Sequence, residues 1–139
     1  MKTAMIFTLF NLINSTPIDI HYNQSPVYID FHADYTTDVQ GTLAATSEHV
    51  LIQYDLNRSA CAGANYIEAN IRNGGQDSSF VLAFVADGTF KHFAPDIAPL
   101  KEGSLEVWFI CDIPTGNGTS SISHWDSNYG KNWVFTVEA

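Results

Sequence analysis

A run of aromatic and polar residues near the C-terminus carries the side chains that typically bind sugars. It occupies residues 123–133, and its candidate ligand-binding residues are Trp125, Asp126, Asn128, Tyr129, Lys131 and Asn132. The apolar C–H face of a pyranose packs on an exposed aromatic ring, and its hydroxyls bond to carboxylate, amide and amine groups. Trp125 or Tyr129 can supply the ring. The other four side chains can supply the hydrogen bonds.

The same residues also have a purely structural interpretation. Asn, Asp, Ser and Gly form turns, and their side chains can hydrogen-bond the loop's own backbone and lock a corner of the fold. Trp133 alternates in phase with Phe135 and Val137, so we expect it to lie in the core. The residue types alone therefore leave both a sugar site and a structural corner open.

Trp108 is a second candidate for a sugar-stacking surface. It is out of phase with the apolar residues of its segment, such as Val107 and Phe109, which we expect to face inward. Its ring is then either a platform facing solvent or a surface covered by another strand. Elsewhere in the chain, Asp55 and Arg58 lie at the end of a strand, and we expect them to form a corner salt bridge rather than a ligand clamp.

Metal-binding and catalytic signals are weak. No two histidines have the His-x-His or His-x-x-x-His spacing of a metal site. Asp30, His32 and Asp34 project from one face of a strand, where we expect a solvated polar face and no metal. The sequence has no Gly-x-Ser-x-Gly, P-loop or His-Glu-x-x-His motif. We therefore expect no catalytic residues, no metal and no cofactor.

The elements that must position these residues are β-strands, since apolar residues recur with a period of two. The alternating segments are residues 27–35, 50–55, 66–72, 104–111 and 132–138. Residues 80–86 are apolar on both faces, which predicts a central strand, and Asp87-Gly88 predicts a hairpin turn after it. The pattern predicts an all-β, Ig-like antiparallel β-sandwich that forms a single domain over residues 1–139.

Composition narrows the classes of partner. Apolar residues make up 45% of the chain, aromatic residues 13% and charged residues 15%, and the net charge is −9. This negative field repels phosphate, which argues against nucleic acid and anionic membranes. No segment reaches the roughly 20 apolar residues of a membrane-spanning helix. Neutral glycans and proteins remain as partners, and the oligomeric state is not predicted.

Two smaller expectations concern the N-terminus and the cysteines. Residues 5–13 are mostly apolar and follow Lys2, which fits a first β-strand better than a secretory signal, so a secreted and a cytoplasmic location both stay open. Cys61 and Cys111 each lie in or beside an apolar segment. We expect two buried free thiols, with a disulfide as the alternative.

The C-terminal motif also resembles known families. Residues 125–133, Trp-Asp-Ser-Asn-Tyr-Gly-Lys-Asn-Trp, resemble the Trp-Asp-Asn-Asn-x-Gly-x-Asn-Tyr signature of family 21 carbohydrate-binding modules, which bind starch and glycogen. Residues 49–55, 79–85 and 105–112 resemble the strands of that family in the same order. Residues 54–58, Cys61 and the terminal motif also resemble a group of small bacterial proteins without assigned function. Together the resemblance spans about residues 27–137.

The resemblance implies a non-catalytic carbohydrate-binding protein. Its ligand would be a neutral α-glucan or another glycan held by the terminal motif. The alternative is a protein-interaction module, such as a small bacterial effector or toxin component, that keeps the fold without a sugar site. In that case the acidic surface favours a basic partner.

Overall fold

Ten β-strands form two facing sheets in the computed structural model, which describes residues 25–84, 89–91 and 96–139. The strands are β1 (Val27–Phe31), β2 (Thr37–Gln40), β3 (Val50–Asp55), β4 (Tyr66–Asn73), β5 (Gln76–Val81), β6 (Ala83–Phe84), β7 (Thr89–Lys91), β8 (Gly103–Pro114), β9 (Ser121–Asp126) and β10 (Trp133–Val137). A short 3₁₀ turn, Ser59–Cys61, follows β3. The described residues thus confirm the predicted all-β fold.

The two sheets have different strand orders. The first sheet runs β2-β1-β3-β7-β6, and the second runs β10-β8-β4-β5, with β9 also paired to β8. Neighbouring strands are antiparallel except β1 and β3, which are parallel. The sandwich is therefore antiparallel, as predicted, apart from this one pair.

The core lies between the sheets, where the alternation predicted it. Phe31 from the first sheet meets Phe109 from the second edge to face, with ring centroids 4.7 Å apart. Trp133 is buried against the same Phe31 ring at 5.4 Å, which confirms its predicted core position. Leu51 is buried although it is out of phase with its buried neighbours Val50 and Ile52.

The first predicted strand is shorter than its alternation suggested. β1 ends at Phe31, and residues 32–36 turn back into β2, with the amide of Tyr35 bonded to the carbonyl of His32 at 3.0 Å. Asp34 leaves the strand face and accepts hydrogen bonds from the amide and hydroxyl of Thr36. Asp30 is buried. The expected solvated face of Asp30, His32 and Asp34 is therefore wrong, because the turn removes Asp34 and Asp30 is covered.

The predicted central strand at residues 80–86 is also wrong. The chain crosses from one sheet to the other at Leu82, so β5 lies at the edge of the second sheet and β6 at the edge of the first. Leu82 is buried, and its amide bonds the carbonyl of Ile67 at 2.9 Å. Phe80 packs against the core and Leu82 is buried, whereas Val81 is 54% exposed and Ala83 is exposed, so only one phase of residues 80–83 faces inward. Residues 85 and 86 of the predicted strand lie outside the described residues.

Cys61 and Cys111 form a disulfide, which corrects the expectation of two free thiols. The bond joins the 3₁₀ turn after β3 to the inward face of β8, across a sequence separation of 50 residues. Both cysteines are buried, as expected. Burial alone did not distinguish free thiols from a bond, because the pairing depends on how two distant segments pack.

Some sequence expectations fall outside the described residues. These are the apolar run at residues 5–13 and the turn at Asp87-Gly88. The strands on either side of that turn, β6 and β7, do pair as an antiparallel hairpin. In the part of the chain that is described, no helix has the length and hydrophobicity needed to cross a membrane.

Candidate functional site

Residues 127–132 of the C-terminal motif form a loop inserted into one edge of the second sheet, between β9 and β10. Residues 123–126 lie in β9, which corrects the expectation that the whole motif before the last strand is a loop. β9 and β10 both pair antiparallel with β8, and Asp126 lies opposite Phe109 while Trp133 lies opposite Val107. Residues 127–132 therefore leave and rejoin the sheet at a single register position, that of Trp108. The amide of Asn132 bonds the carbonyl of Ser127 at 2.7 Å and closes the loop.

Several loop residues have left-handed backbone geometry. Asn128, Gly130 and Asn132 have φ angles of 52°, 84° and 58°. Asn and Gly adopt this region more readily than other residues, so backbone geometry accounts for these residue types. Tyr129 has φ 57° and is 95% exposed. This backbone conformation is unfavourable for a bulky residue, and the exposed ring makes almost no packing contacts that would offset the cost.

A shallow pocket of about 260 Å³ opens beside this loop. Its lining residues are Tyr35, Ser59, Ala60, Trp125, Asp126, Ser127, Asn128 and Tyr129. Trp125 is 62% exposed and Tyr129 is 95% exposed, so two large aromatic side chains stand open to solvent here. Enclosed sites for drug-sized ligands usually measure roughly 300–1,000 Å³. This smaller pocket therefore suits a ligand that lies across it.

Tyr35 is a pocket residue that the sequence did not predict. The β1–β2 turn holds it with φ 69°, and its hydroxyl contacts the Ser59 hydroxyl at 2.9 Å and accepts the Ala60 amide at 3.1 Å. Its ring lies 4.3 Å from the guanidinium carbon of Arg58. The alternation assigned Tyr35 to the core face of β1, and only the end of the strand at Phe31 releases it to the surface.

A buried ion pair lies beneath the pocket. Nε of Arg58 donates to Oδ2 of Asp126 at 2.8 Å, and Nη2 donates to Oδ1 at 3.2 Å, so the pair is bidentate. The hydroxyl of Tyr54 also donates to Asp126 Oδ2 at 2.5 Å, and Nη1 of Arg58 donates to the carbonyl of His32 at 2.6 Å. This network ties the motif to β3, to the segment after it and to the β1–β2 turn.

The contacts within this network shift the pKa values of Arg58 and Tyr54. Burial disfavours the charge on Arg58, but the hydrogen bonds and attraction of Asp126 outweigh it and raise the pKa of the guanidinium. Burial, followed by the hydrogen bond to Asp126, raises the pKa of Tyr54 well above its ordinary value of 10.0. Tyr54 therefore stays protonated and donates to the carboxylate.

The ion pair corrects the expected partner of Arg58. Asp55 accepts the backbone amide of Asn57 at 2.8 Å, and Arg58 pairs with Asp126 instead. Both carboxylate oxygens of Asp126 are engaged by Arg58, and one of them also by Tyr54. The geometry thus gives Asp126 a positioning role under Trp125 and the loop.

The remaining predicted site residues lie outside the pocket lining. Asn132 donates to the Glu106 carboxylate at 3.1 Å, which joins the loop to β8. Lys131 is exposed, and its amide bonds the Asn128 carbonyl. Trp108 is half-buried on β8, and the guanidinium carbon of Arg72 lies 5.6 Å from its ring centroid. The structure therefore gathers Trp125, Asp126, Asn128 and Tyr129 at the pocket but not the other three residues.

Comparison with known families identifies one match, which covers residues 24–139. The chain belongs to the DUF6209 family, a family of unknown function. This agrees with the predicted resemblance to proteins without assigned function, whereas the match lends no support to the resemblance to family 21 carbohydrate-binding modules. Neither a curated protein nor a solved structure matches the chain significantly.

Tyr54 leads to a prediction about alkaline stability. Its raised pKa means that the unfolded state, with a phenol pKa near 10, loses the proton before the folded state does. The contribution of Tyr54 is therefore complete below about pH 10 and declines as the pH rises further, by up to about 1.4 kcal/mol per pH unit. Tyr54→Phe is expected to lower the free energy of unfolding by about 1.5–3 kcal/mol at pH 7.

Urea unfolding of both proteins from pH 7 to 11.5 checks this expectation. The difference between wild type and Tyr54→Phe should narrow above pH 10. A difference that stays constant across this range would show that Tyr54 ionises equally in both states.

Proposed function

We propose that this protein is a non-catalytic glycan-binding protein that holds a neutral sugar chain across the pocket beside the C-terminal loop. The observation that carries the proposal is the grouping of three exposed aromatic rings, Tyr35, Trp125 and Tyr129, around one shallow pocket. They come from the β1–β2 turn, β9 and the inserted loop. Convergence of such rings from separate segments is a way to build a stacking surface for pyranose rings.

The cost of presenting these rings supports a role in binding. Tyr35 and Tyr129 both have left-handed backbone geometry, which costs a residue with a side chain roughly 1–2 kcal/mol. Tyr129 recovers almost none of this by packing, since 95% of it is exposed. Backbone strain that no packing contact offsets is commonly found at functional sites. The loop closure itself needs Asn and Gly, but it does not need an aromatic side chain at position 129.

The polar groups of the pocket suit a ligand with many hydroxyls. Ser59, Ser127 and Asn128 line it beside the rings, and each has a side chain that can both donate and accept. Asp126 contributes by holding the loop in place, since its oxygens bond Arg58 and Tyr54. A carboxylate engaged in this way is a poor general acid or base, which favours binding over catalysis. The resemblance of the motif to family 21 modules makes an α-glucan the first ligand to test.

A basic protein partner is the second candidate for the same surface. Aromatic residues are also enriched in protein interfaces, and the net charge of −9 would attract a basic partner. A glycan and a protein make different demands on the pocket. A sugar needs open rings beside hydroxyls and amides, whereas a protein interface needs a larger contact area of about 800 Å² on each partner.

Titration of tryptophan fluorescence with maltoheptaose, followed by a glycan array, tests the proposal. Trp125→Ala is expected to weaken binding of the responding glycan about five- to tenfold, since stacking on one ring contributes about 1–1.5 kcal/mol. Because this variant lacks the pocket tryptophan, its binding is measured by isothermal titration calorimetry. Val134→Ala is the matched control, because Val134 is also 62% exposed but lies on β10 outside the pocket. The control should bind like wild type.

No response to any glycan on the array, together with capture of one defined protein that Trp125→Ala abolishes, would replace the glycan proposal with the protein-partner candidate. Equal losses of binding in Trp125→Ala and Val134→Ala would contradict the placement of the site.

Tyr129→Gly separates binding from folding. Glycine adopts the left-handed backbone of this position without strain, so the free energy of unfolding should be unchanged or rise by up to about 1 kcal/mol. Glycan binding should fall about five- to tenfold, because the exposed ring is lost. Thermal unfolding and the fluorescence titration measure the two effects on the same sample. Loss of stability without loss of binding would assign Tyr129 a structural role.

A further inference from the structure

Three potential metal ligands lie together at the β1–β2 hairpin, on residues that the proposed glycan site does not use. Asp30 in β1, His32 just after it and Asp38 in β2 each bring one ligand atom into a group in which all atoms lie within 4.8 Å of one another. Asp30 and Asp38 are direct partners in the antiparallel register of the hairpin. The sequence alternation did not predict this group, because it placed Asp34, and not Asp38, on the same face as Asp30 and His32.

Asp30 is the unusual member of this group. It is only 7% exposed, and its Oδ1 atom is buried without a hydrogen-bond partner among the described residues. Its Oδ2 atom accepts a hydrogen bond from the side-chain amide, Nε2, of Gln40. Buried polar atoms nearly always have a partner, and a buried carboxylate oxygen is among the most costly to leave without one. The unpartnered oxygen therefore points to a ligand that is positively charged.

The charges around Asp30 lead to the same conclusion. Two carboxylates opposite each other on neighbouring strands repel, which destabilises a hairpin unless a cation lies between them. A space of about 110 Å³ adjoins Asp30 and His32 and is bordered by Gln53 and Asp55. Asp38 does not line this space, which lies towards β3, so it gives room for water ligands beside Asp30 and His32 and does not itself enclose the ion.

We propose that Asp30, His32 and Asp38 bind one divalent transition-metal ion, with Zn²⁺ or Mn²⁺ as the best-fitting metals. One imidazole nitrogen and two carboxylate oxygens form a mixed ligand set that suits these ions, with water completing the coordination. Ca²⁺ prefers six to eight oxygen ligands, and Mg²⁺ is usually held by oxygen atoms alone. The ion would bridge β1 and β2 and neutralise the facing carboxylates.

Isothermal titration calorimetry and thermal unfolding test this site on the full chain, without an affinity tag and after removal of metals with a chelator. Zn²⁺ and Mn²⁺ are titrated separately, with Ca²⁺ and Mg²⁺ as comparison ions. At least one of the first two ions should bind with 1:1 stoichiometry and raise the melting temperature, since a ligand that binds only the folded state stabilises it. The comparison ions should have little effect.

Three variants locate the ion. His32→Ala and Asp38→Asn should each weaken binding at least tenfold, whereas His124→Ala should bind like wild type because the exposed His124 lies on β9, outside the group. Asp38→Asn should also raise the melting temperature of the metal-free protein, since it removes the repulsion with Asp30. That gain shows that the variant folds.

Binding of neither Zn²⁺ nor Mn²⁺ below millimolar concentration would overturn the proposal. Equal affinity of wild type, His32→Ala and Asp38→Asn, or a preference for Ca²⁺, would do so as well. None of these outcomes depends on glycan binding.

Discussion

Arg58→Met is expected to lower the free energy of unfolding by about 3–5 kcal/mol. The substitution leaves the Asp126 carboxylate buried without the bidentate partner that now neutralises it. The methionine also loses the packing of the guanidinium against the Tyr35 ring, 4.3 Å away, and the Trp133 ring, 5.0 Å away. Urea unfolding monitored by tryptophan fluorescence measures the loss.

The double variant Arg58→Met/Asp126→Leu and the control Arg72→Met sharpen this experiment. Replacing both charges with apolar groups removes the unpaired ion but also leaves the buried Tyr54 hydroxyl without its acceptor, so the double variant should recover part of the stability lost in the single variant. The control breaks the ion pair of Arg72 with Asp77, which is largely exposed, and should change stability little. A double variant no more stable than Arg58→Met would show that packing and the Tyr54 hydrogen bond, rather than the unpaired charge, govern this position.

Removal of the Cys61–Cys111 disulfide is expected to cost about 3–4 kcal/mol. The bond closes a loop with a sequence separation of 50 residues, and its loss restores conformational freedom to the unfolded chain. Cys61→Ala/Cys111→Ala and wild type in reducing buffer should therefore both melt at a lower temperature than oxidised wild type. Differential scanning calorimetry of the three samples gives the comparison.

Reduction should also act locally on the pocket. The disulfide anchors the 3₁₀ turn that presents Ser59 and Ala60 to the pocket, and Ala60 bonds the Tyr35 hydroxyl. Amide exchange in residues 59–61 should accelerate on reduction more than in the central strand β4. A melting temperature that does not respond to reducing agent would contradict a structural role for the bond.

The sequence pattern predicted a residue's position correctly where that position depends only on its neighbours in the chain. The alternation of Leu105, Val107 and Phe109 predicted the inward face of β8, because successive side chains of a strand point to opposite sides. The same rule placed Trp133 in the core. The turn-forming residues predicted the loop at residues 127–132, whereas the strand β9, which includes Trp125, was not predicted. Trp125 and Tyr129 stand out because no alternation requires them in the core.

The sequence pattern gave wrong predictions where a segment leaves a strand or crosses from one sheet to the other. The apolar run at residues 80–86 predicted one central strand, but the chain changes sheet at Leu82, so the described part forms two edge strands, β5 and β6. Tyr35 was assigned to the core face because β1 was extended past Phe31. In both cases a strand ends before the run of apolar residues in the sequence does.

The sequence by itself determined the all-β class, most of the core and the residues that stand out as exposed aromatics. Only the tertiary structure decided which distant groups meet. It paired Arg58 with Asp126 rather than Asp55, joined Cys61 to Cys111, and set Asp38 opposite Asp30. Strand periodicity is a local property of the backbone, whereas these pairings depend on how strands register and sheets pack, which the spacing of residues along the chain does not encode.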